Sequence, residues 1–172
     1  GYRLHVIRDP KVRLIAAAPV RDQVLQDALV RELAPTYEAS FIEDSYASGT
    51  GRGPLRAALC YLSFQRRFRF RLSLDVRRYF PSIRHEILQA LLFRRLRDGR
   101  TRDLLRQLIA AGGAVYQTPL AREVLGLEAD PLPPGSGLAI GACLRQWSGA
   151  LYLDGLDHYV KRRMRELVGD IL

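Results

Sequence analysis

Residues 2–8, Tyr-Arg-Leu-His-Val-Ile-Arg, alternate apolar and polar positions, and Arg13 to Ala18 reads as a second strand. That period of two belongs to half-buried strands, and Asp9-Pro10-Lys11 between them is a turn signal, so a hairpin is expected. From Pro19 the period lengthens. Val20, Val24, Leu25, Ala28, Leu29 and Leu33 share a helix face that Pro35 is expected to end. Residues 36–53 form a polar, Gly-rich loop, and a helix from Pro54 to about Arg67 follows, with its proline in the first turn. Phe70, Leu72, Leu74 and Val76 then alternate with Arg71, Ser73 and Asp75, predicting a strand with a carboxylate at its end.

A strong helix is expected over Ser82–Arg97, striped by Ile83, Ile87, Leu88, Leu91, Leu92 and Leu96, with Asp98-Gly99 breaking it. Thr101 reads as the cap of a helix over 102–111 that Gly112-Gly113 terminates. Residues 114–136 are Pro-rich and weakly periodic, and a last helix runs from about Ile140 to Val168. The order predicts a helix-rich α+β fold with small antiparallel sheets.

Composition narrows the partners. The chain has 172 residues, 48% hydrophobic and 26% charged, with net charge +9 and a pI near 10.1. Such a balance suits a polyanion, nucleic acid first. The cations are almost all Arg, the only lysines being Lys11 and Lys161. Arg forks phosphate and stacks on bases, though a GC-rich coding sequence also explains the choice. Cys60 and Cys143 lie at no metal spacing and point to a reducing compartment. No apolar run approaches the ~20 residues of a membrane span, and Gly1-Tyr-Arg-Leu-His5 lacks a signal-peptide layout. A cytoplasmic protein without a membrane partner is therefore expected, and the missing initiator Met reads as an excised or processed piece. His85-Glu86 lacks the second His of a zinc motif. Asp157 and His158 read as surface or inter-helix polar residues.

Four blocks in order resemble a reverse transcriptase over nearly the whole chain. Arg13-Leu-Ile with Pro19-Val-Arg-Asp-Gln-Val24 resembles the first fingers block, and Ser45 to Gly53 the second. Leu74-Asp75-Val-Arg-Arg-Tyr-Phe80 resembles the first catalytic block of the palm, and Gly137 to Gln146 the block between the palm carboxylates. Ile140-Gly141 opening that last block is similar to diversity-generating retroelements and related bacterial enzymes. Ala139, Ala142 and Arg145 depart from the family's usual Pro, Asn and Ser. The resemblance implies fingers over 1–67 and a partial palm over 68–172, with 98–136 as helix and connecting insertion. It implies RNA-directed DNA synthesis by two-metal nucleotidyl transfer, with an RNA template, a DNA or RNA primer, dNTPs and Mg²⁺ (or Mn²⁺). Asp75 and the backbone carbonyl of Val76 would hold metal. Lys11, Arg13, Arg52, Phe80, Ile140 and Gln146 would contact the nucleotide, Phe80 as the ring that rejects a 2′-hydroxyl.

Other readings stand beside these. Asp75 also reads as a strand-end residue paired with an Arg, Phe80 and Ile140 as core, and Lys11, Arg13 and Arg52 as solvated surface. Arg66, Arg67, Arg69 and Arg71, interleaved with Phe68 and Phe70, either track a nucleic-acid backbone or guard a strand edge. The chain contains no Asp-Asp pair. The family's hairpin carrying that pair, and the thumb, are expected beyond it, in a further segment or an accessory protein. The alternative function is a catalytically incomplete nucleic-acid-binding module, or an enzyme completed in trans. An open edge on the Asp75 strand, with some of Leu151, Leu153, Leu156 and Val160 uncovered, is expected to favour dimers, aggregation or a partner.

Overall fold

The computed structural model describes residues 1–10, 12–47, 51–139 and 143–164. The period-two segments form the expected hairpin, β1 (Arg3–Ile7) and β2 (Arg13–Ala17), antiparallel with His5 opposite Ile15. It is the one sheet among the described residues, so the fold is helix-rich with a single small sheet. One face of β2, Leu14 and Ala16, is buried against Val115, Ala121 and Ala139.

Helix α1 (Val20–Glu38) does not stop at Pro35 but carries it internally. Proline removes one helical hydrogen bond, yet tertiary packing retains the last turn. Tyr37 there is buried, meets the Trp147 ring edge-on at 5.4 Å and donates its hydroxyl to the Leu92 carbonyl. Helix α2 (Pro54–Arg67) has the expected bounds but buries no residue.

The expected strand after α2 forms no ladder. Residues 70–76 run without bend or turn, and no described residue pairs with their backbone. A strand needs a neighbouring chain to satisfy its amides, and alternation alone supplies none. Phe70, Leu72 and Leu74 are 83%, 78% and 80% exposed.

The helix expected over 82–97 is split into a short turn, α3 (Tyr79–Ser82), and α4 (His85–Phe93). Ile83 is extended because its carbonyl accepts from the Gly137 amide, 2.9 Å, rather than from its own helix. The cap of α5 (Gly99–Ala114) is Asp98, not Thr101: its carboxylate accepts from the Thr101 amide at 2.7 Å. Gly112 and Gly113 lie inside α5. Their role is close approach, since a Cβ at Gly113 would meet His85 Cε1 at 2.5 Å and one at Gly112 the Ala139 amide nitrogen at 3.2 Å. The region expected to be irregular holds a 3₁₀ turn (Val115–Gln117) and α6 (Pro119–Leu125), capped by the Thr118 hydroxyl. Helix α7 (Cys143–His158) passes into a π turn, Tyr159–Met164.

The main core lies between α1, α4, α5 and α7, built on Tyr37, Leu88, Leu92, Leu105, Ile109 and Trp147. Leu151 belongs to it and is buried, whereas Leu156 and Val160 are exposed, so part of the expected set is uncovered. His158 bridges elements as expected: its Nε2 is 2.8 Å from the Ser40 carbonyl.

Residues 135–138 are clasped to the α3–α4 junction. The His85 amide donates to Gly135, Gly137 to Ile83 and Leu138 to Phe80, at 2.8–2.9 Å. The Tyr116 hydroxyl donates to the Leu138 carbonyl, and His85 Nε2 is 2.7 Å from that of Gly137. Gly137 has φ +107°, and a Cβ there would run into the Tyr116 ring. Gly137→Ala is therefore expected to cost about 3 kcal/mol in denaturant unfolding, from backbone strain plus overpacking. Gly135, at φ +62° with open space around it, is the control: Gly135→Ala is expected to cost only about 1 kcal/mol.

Candidate nucleic-acid interface

The Arg- and Phe-rich run leaves the C-terminal end of α2 and forms one wall of a cleft of about 1100 Å³. Tyr61, Phe64, Phe68 and Phe70 supply its rings, and Arg67, Arg69 and Arg71 its cations. Two of the four rings carry a cation: Arg67 lies 5.7 Å from the centre of Phe68, and Arg69 5.5 Å from Phe70. Arg71 donates to the Tyr61 hydroxyl. None of these arginines, nor Arg66 just outside the lining, forms an ion pair among the described residues. Asp44 also lines the cleft, paired with Lys161 at 2.7 Å. Phosphate would thus meet unneutralised guanidinium groups, and bases would meet rings, the combination that single-stranded nucleic acid uses.

Asp75 stands at the far end of the same run, exposed and without a partner among the described residues. The chain after it turns at Arg78, which has the left-handed φ of +51°. A non-glycine residue holds that conformation only when its surroundings enforce it. Here the Arg78 guanidinium donates to the Leu125 carbonyl at 2.6 Å and to the Asp130 carbonyl and carboxylate at 3.0 Å. Its own carbonyl accepts from Ser82. The turn that aims Val76 and Asp75 is therefore anchored to α6 and the loop after it. The sequence carries no signal for this role beyond one more Arg in an Arg-rich run.

Phe80 is half-buried. Its ring abuts Gly149, where an added Cβ would lie 2.9 Å from Cε1, and Tyr79 packs beside it. The Arg145 guanidinium covers the ring at 4.1 Å. Burial depresses the Arg145 pKa, opposed by the Tyr116 hydroxyl, and its Nε has no hydrogen-bond partner among the described residues. Arg145 was legible only as a departure from the family pattern.

Two more expected nucleotide residues reach one loop. Gln146 donates to the Ala47 carbonyl at 2.9 Å, and Arg52 to the Ile42 and Ser45 carbonyls at 3.2 and 2.9 Å. Both side chains are thus engaged in holding residues 42–47. Arg13 is exposed at the start of β2. Lys11 and Ile140 lie outside the described residues. For Mg²⁺ the donor set does not suffice: the described residues contain no group of three His, Cys, Asp or Glu placed to hold an ion, and hard cations need several anionic oxygens. No protein-family model matches the chain, and no curated protein is similar to it.

Wedged between Gly149, Tyr79 and Arg145, Phe80 acts in packing whatever else it does. Phe80→Ala is expected to cost about 2–3 kcal/mol in a chemical melt, somewhat below a fully buried Phe. An unchanged melt would mean the ring is free to serve a ligand alone.

Proposed function

We propose that this chain binds nucleic acid and nucleotide as the fingers and partial palm of a reverse-transcriptase-like polymerase. The observation that carries the reading is the convergence of four blocks distant in sequence. Ala139 packs with Leu14 of the first block. Leu138 bonds to Phe80 at the end of the third, and Gly137 to Ile83 just beyond it. Gln146 reaches Ala47 in the second. Residues 137–139 and 146 of the fourth block thus touch each of the other three, and that convergence supports the reading. The basic cleft and the exposed Asp75 lie on the run leading into the third block, where template or primer and nucleotide would approach.

In this reading Asp75 contributes one carboxylate, and Arg67, Arg69 and Arg71 hold the nucleic-acid backbone. The isolation of Asp75 favours a second reading beside it: a nucleic-acid-binding module, or a polymerase whose other carboxylates come from further polypeptide. Both share the interface and differ only in chemistry.

Binding of an RNA template annealed to a DNA primer, followed by fluorescence anisotropy over a salt series, tests the shared part. Affinity is expected to fall steeply with salt. Arg67→Gln, Arg69→Gln and Arg71→Gln together should flatten the log–log slope by about 2, near 0.7 per lost single-strand phosphate contact. An unchanged slope would remove the cleft from the account. Primer extension separates the two readings. The polymerase reading expects dNTP addition by the protein in its full genetic context, abolished by Asp75→Ala with no loss of binding.

A further inference from the structure

Residues 70–76 combine three properties. They are free of bends, between a bend at Arg69 and the turn at Arg77–Arg78. Their backbone groups have no partner among the described residues. Their even-numbered side chains are apolar and strongly exposed, with Val76 at 48% the least so. Such an edge is a template for adding a strand.

We infer that the strand added is the same stretch of a second copy, paired antiparallel about Ser73. The sequence is complementary to itself in that register. Pairing about Ser73 puts Arg71 of each copy opposite Asp75 of the other. It puts Leu72 opposite Leu74 and Phe70 opposite Val76, and Ser73 faces its own counterpart. Side chains alternate in a strand, so all the apolar residues fall on one face and both charge pairs on the other. The symmetry repeats each contact, as a two-fold interface must. The register is bounded, because the next pair outward is Arg69 opposite Arg77. Moving the centre to Leu72 would bring Asp75 opposite Arg69, which sits at the bend, and leave Arg71 opposite Ser73. Moving it to Leu74 would set Arg71 against Arg77. Only the Ser73 register places both charged residues inside the straight stretch as opposite pairs.

The inference does not depend on the polymerase reading. It has a consequence for it: Asp75 paired with Arg71 of a second copy is no longer open to a ligand, and Arg71 leaves Tyr61. The dimer and the nucleic-acid complex would then compete for the same run.

Sedimentation velocity of the 172-residue chain over a concentration series tests it. A reversible monomer–dimer equilibrium is expected. Arg71→Asp and Asp75→Arg, each placing like charges opposite one another twice, should each raise the dimer dissociation constant roughly tenfold or more. The double variant R71D/D75R, which restores opposite charges with the order reversed, should recover dimerisation to within about threefold of the parent. Thermal melts of the monomeric species should be unchanged, since both side chains are exposed. A monomer at every concentration would overturn the inference and leave the stretch to a strand from another polypeptide. Dimerisation indifferent to the single variants, or not recovered in the double, would overturn it equally.

Discussion

The structure depends on the clasp between residues 135–138 and the junction of α3 and α4. Its three backbone hydrogen bonds are made by amides that no helix or hairpin satisfies. Buried amides must find a partner somewhere, and here they find it across fifty or more residues of sequence. The clasp bonds Leu138 to the backbone of Phe80, and Arg145 lies over the ring of that same residue. It also holds Ala139 where the hairpin can pack on it. Glycine is required at the crossing points, because Gly113 and Gly137 admit His85 and Tyr116 where a Cβ would stand.

Around the clasp the molecule divides into a closed side and an open one. On the closed side α1, α4, α5 and α7 share a core whose largest members, Trp147 and Tyr37, are almost fully buried. On the open side α2 buries nothing, and the stretch after it exposes every apolar residue it has. Exposed apolar area of this extent marks an interaction surface rather than a solvated face. Its Arg residues make it attractive to a polyanion, and the order of its side chains makes it attractive to itself. Arg78, held in a left-handed turn by α6, joins the two sides and fixes where the open stretch enters the core.

Much of this was legible in the sequence where local pattern decides. The hairpin and α2 have clear periods and their own punctuation, and both appear with nearly the expected bounds. The readings that failed each met a distant contact. Pro35 did not end α1 because Tyr37 is gripped by Leu92 and Trp147. Gly112-Gly113 did not end α5 because the pair serves close packing. Ile83 left its helix because Gly137 claims its carbonyl. The alternation at 70–76 predicts a strand that does not form, because a ladder is a property of two segments and the described residues supply no second one. At the site, the interleaved arginines and rings stood out in the sequence, whereas Arg78 and Arg145 act through side-chain reach across the fold, which no local spacing encodes.

Hydrogen–deuterium exchange resolved to single amides is the most direct measurement of the central claim, a rigid clasp carrying an unpaired strand-like edge. In dilute solution, where the chain is monomeric, the amides of His85, Gly137 and Leu138 should exchange among the slowest in the protein, while those of residues 70–76 exchange almost at the unfolded rate. Protection of 70–76 in the monomer, or rapid exchange at Gly137 and Leu138, would contradict the account.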